Sequence, residues 1–277
     1  MINFLNRNIY NGVKKYWIII NNEIQRQFAY RIGIAAYSFG NIAEVIVMVV
    51  LWSIVYRNIE TIHGYTAKEM VSYLVFAWFF SFLTTTYAFE ANIAKDIQTG
   101  ALNNMLVKPI SYLRYMATVA TGRILIALLI VLIQDILIIL LLRGRLIFSA
   151  DVSKIVLLLA MLSVTYLFNV LFSIGIGFLA FWTTEISGIY YALKVLRNFL
   201  SGYYFPIVLL PVALVKINLF FPFVYTAYIP VQLYLGKISF AEGLRGLAIE
   251  ILWLVALYVI IKIVWRFGLK KYESVGI

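Results

Sequence analysis

The chain contains no cysteine and one histidine, His63. Without thiols it can form no disulfide, offer no thiolate nucleophile and bind no metal through sulfur. With a single imidazole, zinc sites of the usual composition and histidine-based triads are excluded too. No metal site and no catalytic residue is expected, and a membrane enzyme is disfavoured on the same ground. A phosphate-binding loop is also missing, because the only Gly-Lys pair, Gly236-Lys237, is followed by Ile238 where such a loop needs Ser or Thr. No nucleotide cofactor is therefore expected on this chain, and any ATP hydrolysis must take place on a partner. Charge is scarce as well, at 13% of residues against about 25% in soluble domains.

What the chain has in abundance is apolar surface. Hydrophobic residues make up 64% of its 277 positions, against about 45 to 50% in soluble proteins. Several runs approach the roughly 20 residues that cross a bilayer core, and they are continuous rather than alternating, which selects helices over a β-barrel. The expected fold is all-α: a polytopic membrane protein with an N-terminal amphipathic helix, six transmembrane helices and re-entrant helices before the last span. The net charge of +11 would suit nucleic acid in a soluble protein. In a chain this apolar, basic residues instead flank spans on the cytoplasmic side, so lipid and not nucleic acid is the expected partner.

Taken in order, residues 1–31 place Val13, Trp17, Ile20, Ile24 and Phe28 at helical spacing, which predicts an amphipathic helix on the membrane surface. The apolar run from Trp17 to Ile20 is too short for a signal peptide. Spans are predicted at 32–56, 70–89, 115–142, 155–182, 189–210 and 247–267, all within a single domain of residues 1–277. Ile124 to Leu142 holds 16 Leu, Ile or Val residues around Gln134 and Asp135. These contribute about 5 to 10 kcal/mol of insertion energy against about 3 for a central Asp. Lys194 and Arg197 fall in the first turns of the fifth span, where they can snorkel to water. Four of the five prolines, Pro206, Pro211, Pro222 and Pro230, crowd the stretch before the last span. No straight helix fits them, so residues 203–246 are predicted to be re-entrant, with a seventh span through Phe205 to Val231 as the alternative.

On the six-span drawing, 15 of the 23 Lys and Arg residues lie on the side that carries both termini. The positive-inside rule puts that side, with residues 90–111, in the cytoplasm. Glu44 and Asp135 are the carboxylates deepest in the predicted spans. They line a translocation path, or they are structural groups, bonded to a neighbouring helix or, for Glu44, paired with Lys194 or Arg197.

The island EANIAKDIQTGALNNMLVKPIS, Glu90 to Ser111, interrupts two apolar runs. Gly100 can end one helix in a left-handed cap, and Pro109 halts the next, whose Leu102, Met105 and Leu106 form a short apolar face. Two short pieces around a sharp turn suit docking into a groove of another protein; the other reading is a loop resting on lipid.

GYTAKEMVSYLV, IAKDIQTGALNNMLVKPIS, FPFVYTAYIPVQLYLGKIS and the terminal WRFGLKKYESVGI resemble, in this order, the permease subunits of prokaryotic type-2 ATP-binding cassette exporters. The resemblance covers nearly the full chain and is nearest to the branch in which two related permeases accompany one separate ATPase. It implies a permease of the prokaryotic plasma (inner) membrane that pairs with a second permease, identical or a paralogue, and binds two cytoplasmic ATPase subunits, which carry ATP and Mg. By position, residues 1–31 match the family's connecting helix, and Lys95, Asp96, Gly100, Leu102, Lys108 and Pro109 match its ATPase-coupling corner, with Met105 on the same short piece. Pro222, Phe223, Pro230 and Gly236 match the outer gate. The turn Thr183 to Gly188, with Glu185, is a second candidate ATPase contact. The function class implied is an exporter. A secondary transporter or channel using Glu44 and Asp135 without an ATPase is the alternative from the residues alone.

Overall fold

The computed structural model describes residues 2–29, 31–86 and 89–274. Helix α1 (Ile2–Ala29) is followed by α2 (Arg31–Val55), and a two-stranded hairpin, β1 (Thr61–Ile62) and β2 (Tyr65–Thr66), leads into α3 (Ala67–Leu83). The hairpin is the only sheet among the described residues. It forms between the first two predicted spans because His63 and Gly64 both take positive φ, 46° and 76°, the backbone of a two-residue turn that matches strand twist. Thr66 and Glu69 then make a reciprocal capping box at the start of α3.

Helix α3 stops at Leu83, short of the predicted boundary at residue 89, and Phe89 instead opens α4 (Phe89–Gln98). Thr84 and Thr85 turn their hydroxyls back onto the carbonyls of Phe80 and Ser81, which competes with the helical ladder at this point. After α4 come the single turn α5 (Asn103–Leu106), the long α6 (Tyr112–Leu142) capped by Ser111, and α7 (Val152–Phe178) capped by Asp151. A 3-10 turn, Leu179–Phe181, ends α7.

Helix α8 (Ser187–Ser201) has 15 residues, about 22 Å, so it is too short to cross a core of about 30 Å. The span predicted at 189–210 therefore breaks early. Gly202 turns left-handed with φ of 80°, and its carbonyl accepts the Tyr73 hydroxyl of α3 at 2.6 Å. Beyond it lie α9 (Val212–Phe220), α10 (Phe223–Thr226) and α11 (Tyr228–Tyr234), so no continuous helix runs from Phe205 to Val231. Helix α12 (Phe240–Ser274) begins before the predicted residue 247, because Ser239 and Glu242 form a second capping box.

Helix α7 is the centre of the bundle, packed against α12, α4 and α11. Its crossing with α4 needs Gly177, where a Cβ would lie 2.7 Å from the Ile93 side chain. Large apolar side chains also cover the outside of α2, α6, α9 and α12, Leu141 and Phe220 among them. A bundle clad in such residues has a bilayer as its solvent. Val152–Phe181 and Phe240–Tyr272 are each long and apolar enough to cross one, and Ile42–Val55 is a shorter apolar helix.

Candidate functional site: a polar cavity, a latch and a helical corner

Inside the bundle, α2, α3, α7 and α8 enclose a cavity of about 200 Å³ lined by Glu44, Lys194 and Arg197 among other polar groups. Tyr190, Lys194 and Arg197 recur at helical spacing, so one face of α8 delivers all three inward. The two cations therefore line an internal space, where sequence reasoning had them snorkelling to water. Arg197 donates to Asn169 Oδ1 at 3.2 Å, and Asn169 Nδ2 donates to the Thr84 carbonyl at 3.0 Å. That carbonyl is one of those left over where α3 ends, so the broken helix is satisfied from α7. Thr86 and Ser173 share a 2.6 Å hydrogen bond alongside. Glu44 lies 3.5 Å from the Tyr203 hydroxyl, in the same cavity as both cations. Asp135 lies on α6, and its side chain is outside the described residues.

Three buried carboxylates escaped sequence reasoning. Glu23 of α1 accepts Arg123 of α6, Glu90 lies in the first turn of α4 at the break, and Glu250 of α12 accepts the Thr165 hydroxyl of α7. Glu90 had a signal, as the first charged residue after an apolar run. Glu250 had none beyond its place near the start of a predicted span.

At the hairpin end, Lys237 is held on three sides. Its Nζ lies 2.8 Å from Glu69 Oε1, donates to the Gly64 carbonyl at 3.0 Å and stands 4.2 Å from the centre of the Tyr65 ring. Gln232 of α11 donates to the Tyr65 hydroxyl. Burial pushes the Glu69 carboxyl up, but Lys237 and the Thr66 donors outweigh it and hold the group below its ordinary value. The four re-entrant residues are spread along the broken segment: Pro222 precedes α10, and Phe223 packs edge-on to Phe168 and Phe172 of α7. Pro230 sits in the first turn of α11, and Gly236, with φ of 73°, ends it.

At the opposite end α4 and α5 form the corner. Gly100 takes φ of 75°, a value L side chains rarely adopt, and the chain folds back so that the Leu102 amide donates to the Asp96 carbonyl at 2.9 Å. Leu102 is 0% exposed, a core anchor rather than a surface knob, and Met105 packs partly against the same core. The apolar side chains turned outward are Leu106, 43% exposed and already on the predicted apolar face, and Val107, 85% exposed, a residue sequence reasoning had not singled out. Lys95, Lys108 and Pro109 are exposed, and the Pro109 carbonyl accepts Lys15 Nζ of α1 at 3.2 Å. Asp96 Oδ2 accepts the Tyr112 hydroxyl at 3.0 Å; burial raises this carboxyl against the pull of Tyr112, Arg26 and Lys95. Glu185 is exposed in the turn beside the corner, where Gln98 Nε2 donates to the Thr184 carbonyl at 2.8 Å. Lys271 and Tyr272 of α12 border the same spot, around a cavity of about 360 Å³.

An all-α bundle clad in apolar side chains around a polar cavity is a polytopic membrane protein. Residues 42–276 match the family model described as ABC-2 family transporter protein, and the chain belongs to that family: it is a membrane subunit of an ATP-binding cassette transporter. No curated protein and no solved structure matches it.

Proposed function

We propose that the chain is the permease of an exporter that moves its substrate outward by alternating access. Six spans lie in the prokaryotic plasma membrane with both termini cytoplasmic, the fifth being made by α8 together with the broken segment that follows Gly202. A second permease, identical or a paralogue, completes the pathway, and two cytoplasmic ATPase subunits bind ATP and Mg and perform the hydrolysis. This chain makes no covalent chemistry. The observation that carries the reading is the corner at Gly100, which turns Leu106 and Val107 out of the bundle beside the Thr183 to Gly188 turn. Exposed apolar groups on a corner that also exposes Lys95 and Lys108, next to the turn that exposes Glu185, suit a protein groove. The cavity with Glu44, Lys194 and Arg197 supports a path through the same bundle, and the Lys237 latch joins the re-entrant segment to the hairpin as an outer closure.

Purification in mild detergent is expected to bring down a soluble ATPase, and transport in vesicles is expected to require it. Full transport without any ATPase would favour a secondary transporter or channel, the reading that Glu44 in the cavity also permits. Cysteines placed at His63 and Lys237 should label from outside and one at Asn103 from inside; the opposite pattern would invert the orientation.

A further inference from the structure

Another cavity, of about 290 Å³, lies between α1, α4 and α6 at the corner end, and Arg26, Lys95 and Arg123 converge on it from those three helices. Glu23 and Asp96 also line it, but their carboxylates already have donors. Glu23 Oε1 receives Arg26, Gln27 and Arg123 at 2.8, 2.7 and 2.8 Å, and Asp96 receives Tyr112. Arg26 is half-exposed and turns one nitrogen to Glu23, so the rest of its five-donor fork is not spent on that bond. Among the described residues, the Lys95 ammonium and the Tyr115 hydroxyl make no hydrogen bond to protein. The cavity wall thus offers two cations and a hydroxyl whose donors match the oxygens of a phosphate.

Its depth points to the source of that phosphate. Trp17 and Phe28 share a face of α1 distinct from that of Glu23, and both are turned outward, 65% and 51% exposed. Aromatic groups so placed on an amphipathic helix sit at the acyl boundary, which leaves Arg26 at headgroup level. We infer that this cavity holds the phosphate of a membrane phospholipid headgroup, gripped by Arg26, Lys95 and Tyr115. The lipid then ties α1 to the corner. This rests on α1 lying in the bilayer surface and not on the direction of transport or on any ATPase.

The test is native mass spectrometry of the full chain in detergent, titrated with phosphatidylglycerol and with a diacylglycerol of the same acyl chains. Phosphatidylglycerol adducts are expected at lower lipid concentration than diacylglycerol. The double change Arg26→Gln, Lys95→Gln should weaken them at least about tenfold, as the loss of charge-assisted bonds requires. Lys270→Gln, an exposed cation at the same end, should leave them intact. Should the double change disturb the packing of α1, Lys95→Glu alone carries the test, because Lys95 is exposed. Equal adducts from both lipids, or native-like binding by the charge variants, would overturn the site. Displacement of the lipid by inorganic phosphate at matching concentration would overturn the lipid source and leave a soluble anion.

Discussion

The two ends of the bundle treat their polar and apolar groups in opposite ways. At the hairpin end Lys237 is satisfied by Glu69, the Gly64 carbonyl and the Tyr65 ring, and Gln232 satisfies the buried Tyr65 hydroxyl. At the corner end Val107 stands 85% exposed and the Lys95 ammonium makes no hydrogen bond to protein among the described residues. One end is closed by its own residues; the other presents groups that a partner or a lipid must complete. On the proposed function, the latch would stand where substrate leaves and the unfinished surface where an ATPase docks.

The largest effect should come from breaking the corner. Gly100→Pro imposes φ near −65° where the backbone has 75° and removes the amide that donates to Ile97. The variant is expected to insert and to lose ATP-dependent transport to background, measured in vesicles with the ATPase present. Full transport would show that the corner carries no force. Val107→Asp comes next. The side chain is outside the core, so thermal stability should stay within about 0.5 kcal/mol of the parent. Association with the ATPase should weaken by at least about tenfold, the loss of a central interface contact. Unchanged association would leave Val107 a lipid-facing residue.

How much of this was legible depended on whether the signal was local. Pro206, Pro211, Pro222 and Pro230 remove donors wherever they stand, so the broken region before α12 could be read directly. Gly100 and Pro109 marked the turns that bound the corner for the same reason. Boundaries failed where a helix ends inside an apolar run: Gly202 and the hydroxyls of Thr84 and Thr85 stop helices that hydropathy alone would continue. The capping box at Ser239 was a readable start signal that the apolar count from residue 247 overrode. Which side of a single-turn helix faces the core has no periodicity to reveal it, hence the exchange of Leu102 for Val107. Burial of Glu23 and Glu250 follows from how α1 meets α6 and α12 meets α7, a tertiary fact with no local trace.

The latch gives the smaller effects. Lys237→Met keeps most of the side-chain bulk but leaves Glu69 without its cation and the Gly64 carbonyl without its donor. A loss of about 1 kcal/mol in stability is expected, at the upper end for a partly exposed pair. Closure of the hairpin on α11, followed by cysteine cross-linking, should fall more than stability does. The same pair sets the smallest expected effect, a dependence on pH. Glu69 is held below its ordinary value of 4.5 in the folded protein, so its contribution is fully present above that value and is lost as pH falls through the lower folded pKa. Acidification below about pH 4.5 should therefore loosen the hairpin in the parent. Glu69→Gln, which cannot titrate, should remove this part of the acid response. Cross-linking yields that fall equally in both proteins would move the origin of the acid effect away from the latch.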